Sequence, residues 1–178
     1  SLNATRRFDE AIGIFSKIIN IDPSFDKANF NLALSYQSIG RYLKACEYYE
    51  LELKITPNDF ITLHNLSLAQ KKLGNYKEAI HTFELAIKIN SNSPSTFLSL
   101  GVLYKSIGNY SAAIENYKKA IIANPNFAEA YYNIGIVQNI INEIDKSTNS
   151  YQKAIEIRPN YFQAYNNLGT NKLLSSNV

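Results

Sequence analysis

Apolar residues recur along this chain at helical spacing, and the pattern itself repeats every 34 residues. In one half of each period, an aromatic or aliphatic residue is followed three residues later by a small residue and four residues after that by an aromatic residue. These spacings place the three side chains on one face of a helix. The five sets are Phe8, Ala11 and Phe15; Tyr42, Ala45 and Tyr49; Tyr76, Ala79 and Phe83; Tyr110, Ala113 and Tyr117; and Ile144, Ser147 and Tyr151. The pattern predicts one amphipathic helix in each period.

The other half of each period predicts a further helix. Its marker is a leucine or isoleucine followed by a small residue: Leu32 with Ala33, Leu66 with Ser67, Leu100 with Gly101, Ile134 with Gly135, and Leu168 with Gly169. Glycine inside a helix costs up to about 1 kcal/mol, so its presence indicates close contact with a neighbouring helix. Gly40, Gly74, Gly108 and Asn142 follow at the same interval, and both residue types tolerate the left-handed conformation that ends a helix. Each period therefore predicts two antiparallel helices joined by a turn.

A helix-turn-helix unit of this length, with this small and aromatic pattern, resembles the tetratricopeptide repeat family. The resemblance implies an all-α fold, a right-handed superhelical solenoid of antiparallel helix-turn-helix repeats. The chain departs from the family pattern at Asn29, Glu52 and Asn142. We expect a single array over 1–178, divided into the second helix of a partial repeat (1–25), full repeats at 26–59, 60–93, 94–127 and 128–161, and the first helix of a further repeat (162–178).

The resemblance also implies that the first helices of the repeats line the concave wall of the array. One slot of these helices is polar in every period, and we expect it to face the groove: Asn31, Asn65, Ser99, Asn133 and Asn167. A primary amide can pair with both the N–H and the C=O of an extended peptide, which would explain a poor helix former at this position. The alternative is that the amides bond a neighbouring helix or water and serve the fold alone. The array of the O-linked N-acetylglucosamine transferase family, which these repeats resemble, binds peptide backbone with such a ladder, although Ser99 interrupts it here.

Two further rows flank the asparagine row. One holds Phe30, His64, Leu98, Tyr132 and Asn166, and the other holds Leu34, Leu68, Val102, Ile136 and Thr170. Apolar side chains at an open groove favour a covering partner, with packing inside the groove as the alternative. Lysines border the rows at Lys27, Lys71, Lys72 and Lys105, which favours a partner with acidic residues among apolar ones, unless they are simply a solvated helix face. The members of the family that grip chaperone tails carry lysine and asparagine in these rows, so Phe30 and Leu34 argue against that ligand and leave an extended internal peptide or a helix.

Composition and charge exclude several classes of function. The 178 residues include 18 basic and 15 acidic side chains, dispersed along the chain, so we expect neither a nucleic acid nor a membrane as partner. Cys46 is the only cysteine, which excludes an intrachain disulfide and a cysteine-rich metal site and is compatible with a reducing, cytoplasmic location. The sequence contains no methionine, so we expect it to be part of a longer chain.

No catalytic motif accompanies the repeats, and we expect no enzyme activity, no cofactor and no metal. Glu50 and Glu52 fall on a predicted outer helix, where we expect solvated charge. The leading hypothesis is a protein-protein interaction scaffold that holds an extended segment of a partner in the concave groove. One alternative is a substrate-recruiting array of a larger enzyme such as a glycosyltransferase. Another is end-to-end self-association, because the predicted helices at 6–20 and 162–174 each lack a stacking partner.

Overall fold

The computed structural model describes the backbone of residues 2–175 and the side chains of residues 7–174. This part of the chain contains ten helices and no strand, so the predicted all-α fold class is confirmed. The helices are α1 (Leu2–Ile21), α2 (Ala28–Ser38), α3 (Tyr42–Ile55), α4 (Phe60–Leu73), α5 (Tyr76–Ile89), α6 (Pro94–Ser106), α7 (Tyr110–Ala123), α8 (Ala128–Ile140), α9 (Ile144–Ile157) and α10 (Phe162–Ser175).

The helices form two compact units, one up to Ser91 and one from Asn92 onwards. In the first unit, each of α1 to α4 packs against the next helix in sequence, and α2 also contacts α4. In the second unit, each of α6 to α9 packs against the next helix in the same way, and α6 also contacts α8. Each unit thus brings the first helices of adjacent repeats side by side, with the second helices packed against them.

The small and aromatic slots of α3, α5, α7 and α9 form the core of each unit, as their spacing predicts, whereas Ala11 and Phe15 of α1 are half-buried. Each of the following pairs is at most 1% exposed: Ala45 with Tyr49, Ala79 with Phe83, Ala113 with Tyr117, and Ser147 with Tyr151. Burial of one such ring contributes about 1.5–3 kcal/mol, and the small partner leaves room for the facing helix. These repeated contacts stabilise both units in the same way.

The turns between paired helices adopt the predicted left-handed conformation. The φ angle is 79° at Gly40, 83° at Gly74 and 79° at Gly108, and Asn142 takes the same region with a φ of 61°. Lys27, just before α2, is a left-handed residue that the sequence pattern does not predict, with a φ of 59°. Its side chain reaches Asp59 at the start of α4, which places it in the candidate site.

The prediction that Glu52 is a solvated charge is wrong, because its side chain is 1% exposed. The same slot holds the buried alanines Ala86, Ala120 and Ala154 in the later repeats. Glu52 is stabilised by specific partners: its Oε2 accepts from the backbone N–H of Phe30 at 3.3 Å, and its Oε1 lies 3.7 Å from Lys27 Nζ. A buried carboxylate requires such partners, since taking an unpaired charge out of water is costly.

Candidate peptide-binding site

The neighbouring first helices of the first unit form a surface that we call the α2–α4 face. It contains two pockets, each lined by side chains from both helices. The Ile61 pocket, of about 280 Å³, lies near the start of the two helices, and the Lys72 pocket, of about 290 Å³, lies near their end. The Ile61 pocket is lined by Lys27, Phe30, Asn31, Asp59 and Ile61. The Lys72 pocket is lined by Gln37, Ser38, Tyr42, Leu68, Lys71 and Lys72.

An ion pair lies at the rim of the Ile61 pocket. Lys27 Nζ is 2.9 Å from Asp59 Oδ2, and this hydrogen bond raises the pKa of the lysine. Burial alone would raise the pKa of Asp59, but hydrogen bonds from Lys27 and Thr62 outweigh it and lower that pKa. Asp59 also caps α4 by accepting from the backbone N–H of Thr62 at 3.2 Å. Lys27 is therefore paired within the chain, which weakens its predicted role as a cation for an acidic partner.

The two asparagines of the α2–α4 face differ in their hydrogen bonds. Asn65 Nδ2 donates to the backbone oxygen of Ile61, one turn earlier in α4, at 2.8 Å. Within the described residues, the side-chain amide of Asn31 makes no hydrogen bond, although the side chain is half-buried and lines the Ile61 pocket. A primary amide can donate and accept hydrogen bonds, so Asn31 can offer both to a ligand.

In the second unit, the asparagines of the corresponding α6–α8 face and of α10 take part in more hydrogen bonds within the chain. Asn133 Nδ2 donates to the backbone oxygen of Glu129 at 2.8 Å, and its Oδ1 accepts from Lys105 Nζ at 3.2 Å. Burial lowers the pKa of Lys105. Ser99 is half-buried on α6, and Asn167 on α10 donates to the hydroxyl of Tyr151 at 3.2 Å. Asn65, Asn133 and Asn167 therefore each use at least one amide hydrogen in a hydrogen bond within the chain. This agrees with the alternative that these amides stabilise the fold.

The row that starts with Phe30 packs mainly against the rings of the second helices. The centroid distance is 5.8 Å in each of three pairs: Phe30 with Tyr49, His64 with Phe83, and Tyr132 with Tyr151. Leu98 packs against the cluster that contains Tyr117. Burial lowers the pKa of His64, which favours the neutral imidazole. The fold itself therefore covers much of this row, whereas its member on α10, Asn166, is exposed.

The row that starts with Leu34 is open at its two ends, Leu34 and Thr170, and half-buried between them. Leu34 is 38% exposed. Leu68, further along the α2–α4 face, is half-buried, and Lys71 is half-buried beside an exposed Lys72. In the second unit, Val102 and Ile136 are half-buried and pack against core clusters. The structure thus brings Phe30, Asn31, Leu34, His64, Asn65, Leu68 and Lys71 together on one face, and Leu98, Ser99, Val102, Lys105, Tyr132, Asn133 and Ile136 on another.

The sequence-based site omitted residues that line both pockets of the α2–α4 face. Ile61 is 56% exposed and forms one wall of the Ile61 pocket. It occupies the slot of Lys27 one period later, so shifting the strip of Lys27, Asn31, Leu34 and Ser38 by 34 residues would have identified it. Gln37 and Tyr42 were also missed, because their contribution depends on how the end of α2 meets the start of α3.

The described part of the chain offers little for other kinds of site. Residues 7–174 contain no group of three or more histidine, cysteine, aspartate or glutamate side chains that could hold a metal ion. None of the helices from Leu2 to Ser175 combines the length and the apolar character that crossing a membrane requires. The pockets of the α2–α4 face are the ones lined by residues of the predicted rows, whereas a pocket of about 550 Å³ in the second unit is lined by Pro125, Asn126, Lys153, Glu156 and Ile157, outside those rows.

Solved structures with the same fold are similar to this chain over most of its length. MamA is 26% identical, with a TM-score of 0.82 over 88% of this chain and 91% of MamA. YrrB, described as a TPR protein with an unusual peptide-binding site, is 21% identical, with a TM-score of 0.76 over 93% of this chain and 85% of YrrB. TTC0263, a thermophilic TPR protein from Thermus thermophilus, is 21% identical, with a TM-score of 0.73 over 97% of this chain and 94% of its own.

Family models of the repeat match most of the chain. A model described as "Tetratricopeptide repeat" matches residues 25–92, and one described as "TPR repeat" matches residues 103–139 and 140–170. A comparison with curated protein sequences gave no significant match. The matched regions together span well over half of the sequence and cover helices of both units. The chain belongs to the tetratricopeptide repeat family.

Proposed function

We propose that this chain is a protein-interaction scaffold that binds an extended segment of a partner protein. The single observation that carries the proposal is the amide of Asn31, half-buried beside a pocket and without a hydrogen bond within the described residues. A backbone N–H and C=O of a bound peptide would satisfy this amide. The exposed apolar side chains of Leu34 and Ile61 lie on the same face and would be covered at the same time.

Asn65 supports the same mode of binding in a more restricted way. Its bond to the backbone oxygen of Ile61 fixes the orientation of the amide and leaves the side-chain oxygen to accept a peptide N–H. An amide that is already oriented loses less rotamer freedom on binding, so a bond to it is less costly to form. The α6–α8 face would take part less strongly, since Asn133 is engaged at both ends.

Selection of displayed random peptides on the full chain, followed by affinity measurement, tests this proposal. Asn31→Ala combined with Asn65→Ala should weaken binding of a selected peptide by about tenfold, because each hydrogen bond contributes about 0.5–1.5 kcal/mol. Asn58→Ala, at an exposed turn residue of the same unit, is the matched control and should leave the affinity unchanged. Equal affinity for the double variant and the control would contradict binding through these amides.

Self-association is a second candidate, favoured by the surface of α10. Phe162 and Leu173 are exposed, and a Cβ added at Gly169 would meet nothing within 4 Å, whereas at Gly101 it would meet a ring from the following helix. The free slot at Gly169 matches a helix with a small and an aromatic residue four apart, which α1 of a second copy offers through Ala11 and Phe15. Sedimentation velocity should detect association that Phe15→Ser abolishes; a monomer at all concentrations would refute it.

Recruitment of substrates for a larger enzyme stays a prediction.

A further inference from the structure

The two pockets of the α2–α4 face lie at a defined separation. Asn31 at the Ile61 pocket and Ser38 at the Lys72 pocket are seven residues apart on α2, and Ile61 and Lys72 are eleven apart on α4. At 1.5 Å per residue, these intervals correspond to about 10 Å and about 16 Å along the helix axes. Leu34 and Asn65 lie between the two pockets, so one extended segment could contact both pockets and the intervening amide.

The Ile61 pocket suits an apolar side chain. Its walls are the ring of Phe30 and the exposed side chain of Ile61. The two charges at its rim, Lys27 and Asp59, are paired with each other at 2.9 Å and offer no net charge to a ligand. The buried carboxylate behind them, Glu52, is held by the backbone N–H of Phe30 and by Lys27. A charged ligand group would have to break this pairing, whereas an apolar group leaves it intact.

The Lys72 pocket has the opposite character. Lys71 and Lys72 line it, together with the hydroxyl-bearing side chains of Ser38 and Tyr42, and none of its described lining residues is a carboxylate. Lysines in the last turn of a helix interact favourably with the helix dipole, which is their ordinary role. Here they also line a pocket beside the hydroxyl of Tyr42, which can donate a hydrogen bond, whereas Ser38 Oγ already donates to the backbone oxygen of Leu34 at 2.8 Å. A carboxylate is the side chain that complements this lining in both charge and hydrogen bonding.

We propose that the α2–α4 face recognises an extended segment that carries one apolar side chain for the Ile61 pocket and one acidic side chain for the Lys72 pocket. In a polyproline II conformation, with three residues per turn and about 3.1 Å per residue, side chains three residues apart lie on one side and are separated by about 9 Å, close to the shorter interval. In a β conformation, side chains on the same side recur every second residue at about 3.3 Å per residue, so the separation is four residues. The inference rests on the proposed function and adds the class of ligand to it.

Peptide selection on the full chain tests the spacing directly. Random peptides of about twelve residues, displayed and enriched on the wild-type chain, should share an aspartate or glutamate three or four residues from an apolar residue. Enrichment on the Lys72→Glu variant should replace the acidic residue with lysine or arginine at the same spacing. Selected peptides that lack the acidic residue would overturn the inference and leave the proposed function standing, whereas the absence of any enriched peptide would refute both.

A matched pair of charge reversals separates a local contact from a general change of charge. Lys72→Glu alters the last turn of α4, and Lys88→Glu makes the same change of charge in the last turn of α5, where the lysine is also exposed. For one selected peptide measured by fluorescence anisotropy, Lys72→Glu should weaken binding about fivefold and Lys88→Glu by less than about twofold. Raising the salt from about 0.05 M to about 0.5 M should narrow this difference. Equal effects of the two reversals would overturn the proposed contact.

Changes to the peptide test each pocket and the spacing between them. Replacing its acidic residue with glutamine should weaken binding to the wild-type chain about fivefold and leave binding to the Lys72→Glu variant unchanged or improved. Ile61→Ser should weaken binding when the peptide carries its apolar residue, whereas Ile122→Ser, at an exposed isoleucine on α7, should not. Inserting one glycine between the two side chains should reduce the affinity. If a peptide with altered spacing binds equally well, the two-pocket arrangement is wrong.

Discussion

Replacing Gly101 with alanine would place a methyl group inside the packed interface of α6 and α7. The added Cβ would lie 2.5 Å from Cε1 of Tyr117 and 3.1 Å from the backbone oxygen of Ala113. Gly169 occupies the same slot two periods later, and a Cβ there would meet nothing within 4 Å. The two glycines therefore form a matched pair, in which one substitution creates a steric conflict and the other does not.

The magnitudes follow from two opposing effects. Alanine in place of glycine favours a helix by about 1 kcal/mol, and this gain is available at both positions. Overpacking of a buried interface costs about 1–3 kcal/mol, and the upper half of that range applies at Gly101 because Tyr117 is fully buried and a backbone atom is also close. We therefore expect Gly101→Ala to destabilise the unit by about 1–2 kcal/mol and Gly169→Ala to stabilise α10 by about 0.5–1 kcal/mol.

Hydrogen exchange followed by mass spectrometry is the appropriate assay, because repeat arrays need not unfold in one step. Peptides from α6 and α7 should exchange about tenfold faster in the Gly101→Ala variant, since about 1.4 kcal/mol corresponds to a factor of ten. Peptides from α10 should exchange more slowly in the Gly169→Ala variant. Unchanged protection around Gly101, or a loss of protection around Gly169 of the same size, would refute the reasoning.

Two further predictions concern buried polar groups. Within the described residues, the buried hydroxyl of Tyr117 has no hydrogen-bond partner, whereas that of Tyr151 accepts from Asn167. In urea unfolding, Tyr117→Phe should therefore leave the free energy of unfolding unchanged or raise it, and Tyr151→Phe should lower it by about 1 kcal/mol. The reverse order would contradict these assignments. Burial holds the pKa of His64 below its ordinary value of 6.5, so the unfolded chain binds the proton more tightly and stability should fall as the pH drops below 6.5. Unfolding midpoints between about pH 7 and pH 5 should show a weaker pH dependence for His64→Gln, while His81→Gln, at an exposed position, should keep the full dependence.

Much of the fold could be predicted from the sequence, because the same few positions have the same role in every repeat. Tyr49 and Phe83 are buried where the spacing predicts, and Gly74 and Asn142 take the left-handed turn conformation. Glu52 was misjudged, because a charged residue on an outer helix is normally solvated. Its burial depends on Lys27, which is far from it in sequence and reaches it from an unusual backbone conformation.

The candidate site could be predicted only in part from the sequence. The asparagine slot could be read from the repeat, but the hydrogen bonds of its members could not, and Asn31, Asn65 and Asn133 turn out to differ. Similarly, the row of Phe30 and its equivalents could not be assigned to a groove or to the core from spacing alone. A helical period gives the direction of a side chain, and it does not say how far the neighbouring helix extends over it.

The sequence by itself determined the helix pairs, their turns, the small and aromatic core, and membership of the repeat family, because these depend on contacts that recur every 34 residues. Only the tertiary structure decided which polar groups remain available for a ligand. The pairing of Lys27 with Asp59, the amide of Asn31 that has no hydrogen bond among the described residues, and the two pockets of the α2–α4 face all arise where side chains of different helices meet. These contacts between helices depend on individual side chains that depart from the repeat. The geometry of the contacts is set by packing rather than by spacing along the chain.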